Sequence, residues 1–155
     1  MKRSDQYSQP QAGEAPRLRE AALYPTAHQI EVPSPVEADR RIRAGLPFAE
    51  FDTMAELLGL TAEQLAGHLS ISRSTLLRRK KAGFLDMQES DRLVRYARVF
   101  SRACEVLGSE ATARTWLQQP ARALDFNGPL SFSETEVGAR EVESLLGRIE
   151  HGVFS

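Results

Sequence analysis

The stretch LTAEQLAGHLSISRSTLLRRKKAG, Leu60 to Gly83, decides the fold of this chain. Thr61 offers a side-chain oxygen for a helix N-cap, with Gln64 three residues on as in a capping box, and Leu65, Ala66 and Leu69 follow at helical spacing. Ser70-Ile71-Ser72 interrupts that pattern. Ser72 is placed to cap a second helix, from Arg73 to about Ala82, that Gly83 terminates. A short capped helix, a tight turn and a second short helix rich in Arg, Lys, Ser and Thr is the layout of a helix-turn-helix. Ala66 is small where the two helices must approach, and Leu65, Leu69, Ile71 and Leu76 supply a small core between them. Ser70 stands in the turn where glycine is frequent, so a left-handed backbone there would carry strain.

If this layout holds, the second helix lies in the major groove of DNA with its N-terminal side chains toward base edges. Ser72, Arg73, Ser74 and Thr75 then occupy its first turn, where backbone N–H groups and the helix dipole favour a phosphate. Arg73 and Thr75 are best placed to touch bases. Arg78, Arg79, Lys80 and Lys81 cluster at the far end, where they complement the dipole and reach flanking phosphates. The alternative is a solvated basic face, which charge alone cannot distinguish. The capping residues and Ala66 favour the helix-turn-helix.

Outward from this motif the chain continues in helical patterns. Between Pro35 and Gly45, VEADRRIRA reads as a short helix. Pro47 fits the first turn of another, with Phe48, Phe51, Met54, Ala55 and Leu58 on one face and Gly59 at its end. A long helix is expected from about Gln88 to Leu107, with Leu93, Ala97, Phe100, Cys104 and Leu107 as its apolar stripe. Ser109 caps a helix through Trp116 and Leu117 that ends before Pro120, and Ala121 to Ser133 reads as a loop. A last helix runs from about Thr135 to Glu150 with Val142, Leu145, Leu146 and Ile149 on one stripe. No convincing strand pattern occurs, so the expected class is all-α. Residues 1 to 35, with five prolines among polar residues, read as a flexible N-terminal arm. The division that follows is an arm over 1–35, a helix-turn-helix domain over 36–107 and a small helical domain over 108–155.

Composition narrows the chemistry. The 155 residues allow one proper core, and a formal net charge of -1 argues against coating nucleic acid through bulk charge, so any such contact must be a local patch. Cys104 is alone, which rules out an intramolecular disulfide and favours a buried structural thiol in a reducing, cytoplasmic setting. Neither a signal-peptide core nor a run of twenty apolar residues is present, so no membrane association is expected. His28, His68 and His151 are far apart without metal-ligand spacing, and phosphate loops and nucleophile elbows are absent. Glu141 and Glu143 lie two apart on a helix and so point in different directions, which excludes them as a catalytic dyad. Nothing points to an enzyme, a metal or a cofactor.

The block LTAEQLAGHLSISRSTLLRRKKAGFLDMQESDRLVRYARVF, followed by WLQQPARAL and the ending GAREVESLLGRIEHGVFS, resembles the Xre-type antitoxins of RES-Xre toxin-antitoxin pairs, of the MbcA/ParS/Xre superfamily. The similarity spans roughly Gly45 to Ser155, and its most distinctive parts are ESDRL, Glu89 to Leu93, and GRIEHGVFS, Gly147 to Ser155. The resemblance implies a dimeric repressor that binds operator DNA of its own operon through Ser72 to Lys81. It also implies a C-terminal domain that neutralises a RES-domain, NAD-consuming toxin, with Gly147 to Ser155 entering or covering the toxin's active site. On physical grounds, Arg148, Glu150, His151 and the α-carboxylate of Ser155 surround Val153 and Phe154, an apolar anchor flanked by charges. The same residues equally suit a helix end that packs Val153 and Phe154 on its own core. A stand-alone repressor, with the C-terminal helices serving only for dimerisation, and a pure protein-protein adaptor are the other functional classes the residues allow.

Overall fold

The computed structural model describes residues 34–153; the expected arm lies outside the described residues as far as residue 33, and so do Phe154 and Ser155. The described chain is all-α. Its helices are α1 (Pro35–Ala44), α2 (Phe48–Leu58), α3 (Ala62–His68), α4 (Arg73–Ala82), α5 (Met87–Leu107), α6 (Glu110–Gln118), α7 (Pro129–Phe132) and α8 (Glu136–Glu150), with a 3-10 turn at Arg122–Leu124.

Local rules set most of these boundaries. Hydroxyls of Ser34, Thr61, Ser72, Ser109 and Thr135 each accept a hydrogen bond from the backbone N–H three residues on, and Thr61 with Gln64 and Asp86 with Glu89 form complete capping boxes. Two expectations need correction. Pro47 sits just outside α2, not in its first turn, because it pairs with Phe84 in an isolated antiparallel bridge flanked by Leu85 N–H to Leu46 O (2.9 Å) and Phe48 N–H to Gly83 O (2.8 Å). That bridge ties the α1–α2 connection to the α4–α5 connection. The segment Ala121 to Ser133 is not a simple loop: it holds the 3-10 turn and α7, whose Leu124 and Leu130 are buried. Asn127-Gly128-Pro129 masked α7 because it reads as a turn, whereas Pro129 is the first residue of that helix.

α5 is the spine, packing against α8, α6, α1 and α2 around one buried cluster. Leu93, Tyr96 and Phe100 of α5 meet Phe51, Met54 and Leu58 of α2, Leu117 of α6, and Val142 and Leu146 of α8 within that cluster. Cys104 is buried there, and burial pushes its thiol up to about 11, which keeps it protonated and unreactive at neutral pH.

The helix-turn-helix core forms as expected: Leu65, Ala66, Leu69, Ile71 and Leu76 are all buried. Ile71 N–H donates to Ala66 O (2.8 Å) and Ser70 N–H to Gly67 O (3.1 Å), the pair of bonds that closes a helix in a Schellman turn. This turn requires a left-handed residue, and Ser70 supplies it at φ 56°. Ser70→Gly is therefore expected to stabilise the fold by about 0.5 to 1 kcal/mol, the relief of left-handed strain less the extra chain entropy of glycine. Urea unfolding should show a higher midpoint with an unchanged slope.

Candidate nucleic-acid and partner interfaces

The position of α4 is fixed by three contacts. Leu76 is buried, Ser72 caps the helix, and the Arg79 guanidinium reaches across the α4–α5 turn to Glu89 (2.7 Å) and Asp86 (2.8 Å). Those two acids are the capping box of α5, so Arg79 joins the two helices at the point where the second begins. Its hydrogen bond to Glu89 leads the effects that hold the guanidinium above its ordinary pKa.

The distinctive ESDRL block serves this same junction. Buried Glu89 accepts from the Asp86 N–H (2.8 Å) as well as from Arg79, and buried Ser90 accepts from the Leu46 N–H (2.9 Å). Arg92 donates to the Leu69 carbonyl (2.9 Å) at the end of α3, and Leu93 is in the core. Each of these residues secures one edge of the platform on which α4 rests.

The sequence-derived DNA-binding residues separate into two groups on this platform. Ser72 and half-buried Thr75 spend their hydroxyls on each other (3.0 Å) and on the cap, while Arg79 is committed to Asp86 and Glu89. Arg73, Ser74, Arg78, Lys80 and Lys81 are exposed, and among the described residues none of the four cations has a carboxylate partner. Leu77, next to buried Leu76 in the sequence, is 61% exposed on the same helix.

The arginines of the spine behave differently. Arg95 and Arg98 bond to Glu136 (3.2 and 2.9 Å), Arg98 also to Glu143 (2.6 Å), and Arg102 to Glu150, a ladder of ion pairs between α5 and α8. Burial disfavours ionisation of Glu136, but Arg98, Arg140 and Arg95 together outweigh it and hold its carboxyl below the usual range. The charges of Arg95, Arg98 and Arg102 are thus neutralised within the molecule, and those on most of α4 are not.

At the C-terminal end, α8 closes in another Schellman turn: Val153 N–H donates to Arg148 O (2.9 Å) and Gly152 N–H to Ile149 O (3.2 Å). Arg148 is engaged with Glu141 (2.9 Å) and Ser144 (3.1 Å), and Glu150 with Arg102, whose hydrogen bond leads in lowering the Glu150 pKa. Glu141 and Glu143 accordingly serve different partners, as their spacing predicts. His151 is exposed and Val153 is 56% exposed, so Val153 does not pack on the chain's own core. His68 lies tilted against Tyr96 (5.9 Å between ring centres) with Nδ1 3.3 Å from Glu134, the surroundings of a packing residue. Among the described residues no group of acidic, His or Cys side chains could hold a metal, and no helix is long and apolar enough to cross a membrane.

Comparison with known proteins matches residues 37–98 to the antitoxin Xre-like helix-turn-helix domain and residues 102–152 to the antitoxin Xre/MbcA/ParS C-terminal toxin-binding domain. Proteins named Antitoxin Xre are similar to this chain: 44% identical over 85 residues in Yersinia enterocolitica and 39% over 74 in Photorhabdus laumondii. The first match covers 54% of this chain and 57% of the relative, and the second 47% and 50%, so the chain spans about half the length of the curated relatives it matches. A third, from Pseudomonas putida, is 34% identical over 68 residues, 44% of this chain and 43% of its own. None of these is an enzyme family. Two consecutive domain matches, over a helix-turn-helix and a C-terminal helical unit built as described, establish that the chain belongs to the Xre/MbcA/ParS antitoxin family.

Proposed function

We propose that this protein is the antitoxin of a type II toxin-antitoxin system that represses its own operon through α4 and neutralises a RES-domain, NAD-consuming toxin through its C-terminal segment. The observation that carries the DNA-binding half is the set of exposed cations Arg73, Arg78, Lys80 and Lys81, which have no carboxylate partner among the described residues, whereas Arg95, Arg98 and Arg102 of α5 are paired with acids of α8. Such a surface suits a polyanion, and the first turn of α4 adds backbone N–H groups and a favourable dipole. Residues 36–107 form the DNA-reading part in this reading and 108–155 the toxin-binding part. The protein acts in the cytoplasm as a homodimer on a palindromic site, with half-sites about 34 to 36 Å apart.

The toxin half rests on the resemblance of Gly147 to Ser155 and on the exposure of Val153. Arg148 and Glu150, tied to Glu141 and Arg102, hold the last turn of α8 rigid, and His151, Val153, Phe154 and Ser155 make the contact. Preorganisation of this kind lowers the entropy cost of binding.

Deleting Gly152 to Ser155 tests the assignment. The truncated protein is expected to lose co-elution with a RES-domain toxin and to leave that toxin's NAD consumption unchecked, while retaining full affinity for operator DNA. If neither activity changed, the stand-alone repressor would be the better description.

A further inference from the structure

We propose that Leu77 reads the 5-methyl group of a thymine in the major groove, an assignment that rests on α4 being the DNA-reading helix. Ser74, Leu77, Arg78 and Lys81 step by three and four residues along the stripe of α4 turned away from buried Leu76. Leu77 lies in the middle of that stripe and is 61% exposed. A single exposed leucine is ordinary on a protein surface. This one is set among Arg73, Arg78 and Lys81, cations with no carboxylate partner among the described residues, so its surroundings favour a polyanion and repel an apolar protein partner.

Duplex DNA offers one apolar group on the base edges of its major groove, the thymine methyl, and apolar side chains recognise it by contact alone. Helical side chains lean toward the N-terminus of their helix. Leu77 therefore leans over Ser74, a residue short enough to leave it accessible, on the half of α4 that enters the groove first. The contact removes both apolar groups from water, and the flanking cations on phosphates fix its register. Leu77 would then determine sequence preference where Arg78, Lys80 and Lys81 determine affinity.

The test uses the full chain and a duplex selected by the wild-type protein from a random-sequence library. Each thymine of that duplex is replaced in turn by 2′-deoxyuridine, which removes the methyl and nothing else. At one thymine per half-site the replacement is expected to weaken wild-type binding about fourfold, the weight of one buried methyl. Leu77→Ala, which keeps a strong helix former on an exposed face, should bind thymine and deoxyuridine duplexes equally while circular dichroism and the salt dependence of binding stay unchanged. Wild-type binding that responds to no thymine, or a Leu77→Ala protein that still discriminates, would overturn the assignment and leave DNA binding by α4 intact. A wild-type chain that selects no duplex and shows no salt-dependent binding would overturn the DNA-reading role itself, and the Leu77 assignment with it.

Discussion

Replacing Arg73, Arg78 and Lys81 together by alanine is expected to weaken operator binding on the order of 10³-fold per protomer, from about 1.5 kcal/mol for each of three charge-assisted contacts. The salt dependence should change as well. With Arg78, Lys80 and Lys81 on phosphates, log affinity falls against log salt with a slope of about -2.7 per protomer, so raising salt from about 50 to 200 mM costs roughly 40-fold. With Lys80 alone remaining, the slope falls to about -0.9 and the same change costs roughly fourfold or less. All three side chains are exposed and without carboxylate partners among the described residues, so the fold should keep its unfolding midpoint. Arg79→Ala is the informative contrast. Because Arg79 bridges Asp86 and Glu89, its loss should lower the midpoint while leaving the salt slope unchanged. A slope that moved with Arg79 and not with the other three would place the phosphate contacts elsewhere.

Gly138→Ala is expected to destabilise the protein by about 3 kcal/mol or more, the upper end of overpacking. In an exposed helix the same change would stabilise by about 1 kcal/mol, since alanine is the better helix former. Gly138 lies in the first turn of α8 with its N–H bonded to the Thr135 hydroxyl (3.0 Å). A methyl group there would fall well inside contact distance of the Phe132 carbonyl oxygen, which is backbone and cannot swing aside. Either α7 moves or α8 starts later, and both disturb the packing of α8 on α5. Denaturant unfolding measures the loss, and a midpoint equal to that of the wild type would show that the α7–α8 corner is slack.

The sequence made the helix-turn-helix legible because its determinants are local. Thr61, Ser72 and Ser109 cap helices through bonds to N–H groups three residues away, and Ser70 declares its strain by replacing a turn glycine. The apolar stripes of α5 and α8 likewise follow from spacing within one helix. What stayed hidden depends on elements far apart in the chain. Leu46, fully buried between two helices, donates to Ser90 forty-four residues away. The ladder from Arg95, Arg98 and Arg102 to Glu136, Glu143 and Glu150 joins helices whose spacing along the chain gives no hint of contact. α7 escaped notice because four residues are too few to show a period.

The candidate site divides along the same line. A basic run on a capped helix is written in residues 71 to 81, and so are the start and stop of that helix. Which of its cations remain available is not, since Arg79 is withdrawn by acids that become neighbours only after the chain turns at Gly83. Leu77 gains its significance in the same way, because burial of Leu76 turns it outward. By itself, then, the sequence determined the order of the longer helices and most of their ends, because caps and periodicity act within one or two helical turns. Only the tertiary structure decided which charges are spent inside the molecule and which face solvent, because pairing depends on distances between helices that sequence spacing does not encode.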